Sequence, residues 1–258
     1  MFANEMLYKS KKKFTVKMAK RICPFAGSIL LFLLIFCYGC SLDDSKEYGI
    51  TPGIVLSFDD YHISTWEQNF DLFDKYNAKV TFFVTGSSVT EFMLSAQERG
   101  HEIGYHTIHH FHLPQLTREE FFEEAISSVS VFKESGIELT SFAYPYGDYK
   151  PWMNDELLKY YSIIRGFNGF KRYLFDEMKS GFIISASIDN INYKSETGFR
   201  DNINDMVKSA RDYGKIINFT SHSISGNDWG ITPGRLEYVL KTCQEYGLTF
   251  YRYKDFQE

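Results

Sequence analysis

The sequence predicts an α/β fold, a closed or nearly closed barrel of mainly parallel strands, and three observations carry that expectation. From residue 54 onward, strand-like and helix-like segments alternate along the chain, the pattern of parallel strands joined by right-handed crossovers. Seven or eight strand-like segments fall within about 200 residues, which suits a barrel, with an open doubly wound sheet as the alternative. The third observation is placement. Asp59, Asp60, His106, His110, Tyr146, Asp189 and His222 all fall just after predicted strands, where the chemistry of such barrels gathers.

Taken in order, the apolar run 54–58 reads as a buried strand, and residues 64–76 as a helix with Trp66, Phe70 and Phe73 at helical spacing. Residues 79–85 are β-branched and aromatic, 90–99 read as a helix stopped by Gly100, and 101–106 form a third strand. Thr117-Arg118-Glu119-Glu120 has capping-box spacing and opens a helix expected to run to about Ser135, with Phe121, Phe122, Ala125, Ile126, Val129 and Phe132 on its buried face. A fourth strand, 139–144, leads into Pro145-Tyr146-Gly147-Asp148. Helix 154–160, strands 162–165 and 182–188, helix 199–213 and strand 215–219 follow. Thr232-Pro233 opens the last helix, and 248–253 is the final strand.

Residues 1–39 read as a secretory signal, with a basic stretch around Lys9–Lys13 and Lys17–Arg21 followed by the short apolar run 29–36. A small residue before Cys40 resembles a bacterial lipoprotein cleavage site, although Cys37 and Tyr38 fit that pattern poorly. The expected organisation is therefore a signal over 1–39, a flexible tether over 40–52 beginning at a lipidated Cys40, and one domain over 53–258. The expected location is exported and lipid-anchored to a bacterial membrane. Cys243 is then the one remaining cysteine, which excludes an internal disulfide. Without residues 1–39, which hold seven Lys/Arg and one acid, the formal charge falls from −5 to −11. Such an acidic chain argues against nucleic acid as a partner.

Two adjacent carboxylates at one strand end, Asp59-Asp60, and two imidazoles four residues apart at another, His106 and His110, suit a divalent-metal site. Side chains on an extended backbone alternate in direction, so one Asp can face an ion while its neighbour stays free to take a proton.

These residues resemble the polysaccharide deacetylase family, carbohydrate esterase family 4, over roughly 53–253. Ser57-Phe58-Asp59-Asp60 is similar to its first motif, and His106-Thr107-Ile108-His109-His110, preceded by Gly100-His101-Glu102-Ile103-Gly104, to its second. The resemblance implies a distorted, NodB-like barrel and metal-dependent removal of acetyl groups from carbohydrate. It implies Asp60, His106 and His110 as ligands of one divalent ion, Zn²⁺ first with Co²⁺, Ni²⁺ or Mn²⁺ as alternatives, and Asp59 as general base. Ala143-Tyr144-Pro145-Tyr146 resembles the third motif, which implies oxyanion or substrate binding at Pro145 and Tyr146. His222 resembles the late general acid. The departures are Ala143 in place of an Arg that orients the base, and Asn192-Tyr193 in place of an Asp-Trp pair. The acid expected to tune His222 is thus missing there, and Asp189 either substitutes for it or caps a loop. Tyr61 replaces a Gly, and His109 falls outside the pattern as a loop residue.

The expected partner is an acetylated polysaccharide or oligosaccharide, N-acetylated amino-sugar polymer first and O-acetylated xylan-type polymer second. A catalytically silent sugar-binding lipoprotein is the competing class. A structural barrel without ligand gives no reason for Asp and His to gather at strand ends. Oligomeric state is not legible in the sequence.

Overall fold

The computed structural model describes residues 51–167, 169–179 and 181–257. The signal, the tether's first eleven residues and Cys40 lie outside the described residues.

In chain order the first half runs β1 (Gly53–Asp60), α1 (Ile63–Glu67), α2 (Phe70–Lys75), β2 (Thr81–Val84), α3 (Glu91–Glu98), β3 (Glu102–Tyr105), α4 (Arg118–Ala125), α5 (Val129–Glu134) and β4 (Ser141–Ala143). The second half runs α6 (Pro151–Leu157), β5 (Ile163–Gly166), β6 (Arg172–Tyr173), α7 (Phe175–Met178), β7 (Phe182–Ile184), β8 (Ala186–Ser187), α8 (Glu196–Asp212), β9 (Ile216–Ser221), β10 (Ser223–Ile224), β11 (Gly230–Ile231), α9 (Pro233–Glu245) and β12 (Thr249–Tyr251). The large sheet pairs β9-β1-β2-β3-β4-β5-β7, all parallel, with β12 also on β1 and the short β6 antiparallel on β9. The expected strand 182–188 is split at Ser185. Its first half pairs with β5 and its second half with β9, so one chain segment joins the two edges and curls the sheet on itself. The mainly parallel, curled architecture is the one the alternation of segments predicts.

Strand alternation sorts the side chains into two layers. Ile54, Leu56 and Phe58 of β1 point to the large core under the helices, with Trp66, Phe73, Phe82, Phe92, Phe142 and Leu236. Val55, Phe83, Ala143, Ile163 and Tyr253 form a second cluster on the other face. Ser57 and Asp59 share that inner face with Val55, and Arg165 lies there over the Phe83 ring at 5.1 Å. The inside of the curl is therefore partly polar.

Two of the expected helices, 64–76 and 117–135, are broken, whereas the one expected over 199–213 is continuous as α8. Asn69 is the N-cap residue of α2 and its Nδ2 donates back to the Thr65 carbonyl at 2.8 Å, at the break that leaves residues 64–76 as two short helices. Residues 117–135 break after α4, whose capping box at Thr117 and Glu120 is as expected. There the Glu124 carbonyl accepts from Ile108 N–H and the Ala125 carbonyl from the Tyr161 hydroxyl, at 3.1 and 2.6 Å. Partners from outside the helix take two carbonyls that a continuous helix would use, and the Ile108 bond docks the 107–110 loop on it.

A candidate metal centre at the strand ends

Asp60 ends β1 at φ 80°, a left-handed conformation outside the extended range of the strand before it. Among the described residues five non-glycines have positive φ, and four of them, Asp60, Thr107, His110 and Tyr146, are at this site. Such strain persists only where its surroundings hold it. For the 107–110 loop the hold is visible: Thr107 Oγ1 accepts from His110 N–H at 3.0 Å, and Glu124 accepts from both the backbone N–H and the ring Nδ1 of His109. His109 is therefore a structural tie to a buried carboxylate, more than a plain loop residue.

One side-chain atom each of Asp60, His106 and His110 lies within 4.8 Å of the others. Asp60 Oδ1 faces His106 Nε2 at 3.5 Å and His110 Nε2 at 3.2 Å, yet this buried oxygen makes no hydrogen bond of good geometry. His106 Nδ1 lies 2.8 Å from the Ala143 carbonyl oxygen, which can only accept, so Nδ1 carries the proton. In the neutral ring, Nε2 then aims a lone pair at a carboxylate oxygen. Two acceptors facing each other in a buried site fit a cation between them, and a carbonyl behind a histidine is the usual orienting partner of a metal ligand. Burial pushes the Asp60 carboxyl up, but the imidazoles of His106, His110 and His62, when protonated to donate to it, outweigh burial and hold the group well below the usual carboxylate range. The donor set of one carboxylate and two imidazoles suits Zn²⁺ and similar ions.

Asp59 points the other way, into the curl, and is almost fully buried. Its Oδ2 accepts from Arg165 Nη2 at 2.5 Å and its Oδ1 from Thr220 Oγ1 at 3.3 Å. Arg165 is fully buried, and Nη1 donates to Ser185 Oγ at 3.0 Å. Ala143 and Arg165 are register partners on β4 and β5. The cation absent at Ala143 is thus supplied by the neighbouring strand, a residue the sequence reading passed over although a charge inside Ile163-Ile164-Arg165 was the signal. Glu124 was also missed, being an acid three residues after Phe121 on the buried stripe of α4.

His222 follows β9, next to the end of β1. Asp189 is fully buried and bonds it twice: Oδ2 lies 2.9 Å from Nδ1, and Oδ1 accepts from the backbone N–H at 3.2 Å. Ser221 and Ser187 hydroxyls fix the carboxylate at 2.7 and 2.8 Å, and Asn192 Nδ2 donates to Ser187 Oγ. Of the two roles expected for Asp189, the pairing with His222 is the one present. Burial pushes the imidazole down, but the bond to Asp189 and the nearby carboxylates Asp59, Asp189 and Asp60 outweigh it and raise it from 6.5 to about 9. Its folded value lies above its unfolded one. The pair's contribution to stability is therefore complete below pH 6.5 and lost as pH rises through about 9.

Pro145 is buried at the start of the turn after β4, and Tyr146 stands half-exposed at φ 59°. The Tyr146 ring stacks on His112 at 3.7 Å, packs on His110 at 4.6 Å, and His112 in turn holds Asp148 at 2.8 Å.

Residues 48–161 match the sequence profile described as polysaccharide deacetylase. The chain is 27% identical over 202 residues to a bifunctional xylanase/deacetylase of Pseudobutyrivibrio xylanivorans, covering 76% of this chain and 29% of that protein. It is 36% identical over 123 residues to chitin deacetylase 1 of Cryptococcus neoformans, covering 43% of this chain and 25% of that protein. The chain spans between 23% and 39% of the length of the curated relatives it matches. Among solved structures, the chitin deacetylase of Colletotrichum lindemuthianum aligns with a TM-score of 0.59 at 15% identity, over 81% of this chain and 88% of that one. Peptidoglycan deacetylase PdaC of Bacillus subtilis aligns at 0.56 and 19%, over 80% and 90%. These structural likenesses establish the shared fold.

Proposed function

We propose that the chain, whose residues 48–161 match the polysaccharide deacetylase profile, is a metal-dependent hydrolase releasing acetyl groups from N-acetylated amino-sugar polymers. The observation that carries this reading is the convergence of His106 and His110 Nε2 on Asp60 Oδ1, with Asp59 next in the chain and held by Arg165, and the Asp189-held His222 at the next strand end.

Asp60, His106 and His110 would hold the divalent ion, Zn²⁺ first, which when bound acts as a Lewis acid and lowers the pKa of water. Asp59, fixed by Arg165 and Thr220, takes the proton of the attacking water. The Tyr146 backbone N–H is the proposed donor to the oxyanion. His222 enters protonated and gives its Nε2 proton to the leaving atom, while Asp189 keeps the ring oriented through Nδ1. An amine leaves only when protonated, so an imidazole held in its charged form favours the amide substrate over the ester. O-acetyl esters are the second reading, supported by the likeness to a protein named xylanase/deacetylase over 202 residues.

An acetate-release screen across peptidoglycan, chitin-type and acetylated xylan substrates tests the proposal. Release from amino-sugar polymer that chelator abolishes is expected, and no release from any of them would refute it. For Asp189→Asn we expect the alkaline limb of the pH–rate profile to move to lower pH, because the neutral amide no longer stabilises the imidazolium. An unmoved limb would remove Asp189 from its role. Export and lipid anchoring at Cys40 complete the proposal. Loss of membrane partitioning in Cys40→Ala is expected, and unchanged partitioning would contradict it.

A further inference from the structure

The chain has three tryptophans. Trp66 is fully buried and Trp152 packs against the main core, whereas Trp229 is 55% exposed. The loop that carries this indole is pinned along most of its length. Asn190 Nδ2 donates to the Ser225 and Asn227 carbonyls at 3.1 and 2.8 Å, and Ile191 N–H to the Asp228 carbonyl at 3.0 Å. Ser223 Oγ donates to Asn227 Oδ1 and lies against the Trp229 carbonyl, while β10 and β11 pair directly behind it. Gly230 is required there, since a Cβ would meet Ser223 Oγ at 2.2 Å. The rigid loop presents the indole 5.7 Å from the His222 ring, at 78° to it. One segment thus serves both groups: Asp189 orients His222, and the next two residues hold the loop that carries Trp229.

We propose that Trp229 is the stacking platform for the pyranose ring that carries the leaving nitrogen or oxygen. His222 delivers its proton to that atom, so whatever covers the neighbouring indole is covalently joined to it. A pyranose has an apolar C–H face that matches an indole and offers no charge to this acidic chain. Trp229 is accordingly a specificity-determining residue of the site, and the inference rests on the deacetylase reading given above.

The test pairs kinetics with intrinsic fluorescence, using N-acetylglucosamine oligomers and acetylated xylan oligomers as probes. Trp229→Ala should raise KM about tenfold or more with kcat within about threefold, the size expected of one lost aromatic stacking contact with its burial. Trp229→Phe should recover most of that loss. Oligomer should change the fluorescence of the parent chain and not that of Trp229→Ala. Turnover with unchanged KM in Trp229→Ala overturns the platform and leaves the deacetylase reading standing. A chain that releases no acetate refutes that reading instead, and the fluorescence titration still decides the platform: no response, or the same response in Trp229→Ala, overturns it.

Discussion

Replacing Asp59 by Asn should lower kcat for acetate release at least about a hundredfold, within the range that general-base catalysis supplies, without loss of divalent-ion binding. The reason is local. Asp59 and Asp60 are adjacent in sequence but face different surroundings, one toward Arg165 and Thr220 inside the curl and the other toward two imidazoles. The substitution removes proton acceptance from the first without touching the three donors of the second. An Asn also keeps an oxygen for Arg165 to bond, so circular dichroism should report an intact fold. Turnover at the parent rate would remove Asp59 from the mechanism.

Replacing Arg165 by Met has the second large effect, and it is two-fold. The guanidinium is fully buried against a nearly fully buried carboxylate at 2.5 Å. Removing it leaves Asp59 without a charged partner, a loss of about 3–5 kcal/mol for a broken buried pair, read as a lower midpoint in urea. It also frees the carboxylate to rotate, so kcat should fall by about a hundredfold. Because Ala143 is the register partner of Arg165 and side chains of paired residues share a face, the double variant Ala143→Arg with Arg165→Met should recover part of the activity. Unchanged stability and kcat in Arg165→Met would show that the pair holds nothing in place.

The sequence made the parallel α/β architecture and the Asp-His-His donor set legible because both are local patterns: alternation of periods, and short motifs at strand ends. What it hid is set by contacts between distant segments. The helix expected over 117–135 breaks because Ile108 and Tyr161, far along the chain, take its carbonyls. The strand over 182–188 splits because its two halves bond to opposite edges of the sheet. A cation missing from one strand was supplied from the next, a compensation that only strand register reveals. Asp189 stood just after a predicted strand, but that its carboxylate meets His222 depends on how the chain folds across the 33 positions that separate them. Apolar periodicity placed the cores, whereas the buried polar groups, Arg165, Glu124 and Asp189, were decided by partners no periodicity encodes.

The central claim is that Asp60, His106 and His110 hold a single divalent ion, and metal analysis of the purified chain beside its His106→Ala variant tests it most directly. One ion per parent chain, released by chelator and restored by Zn²⁺, is expected, and none in the variant. A variant that still carries its ion, or a parent chain that takes up none when Zn²⁺ is supplied, would contradict it.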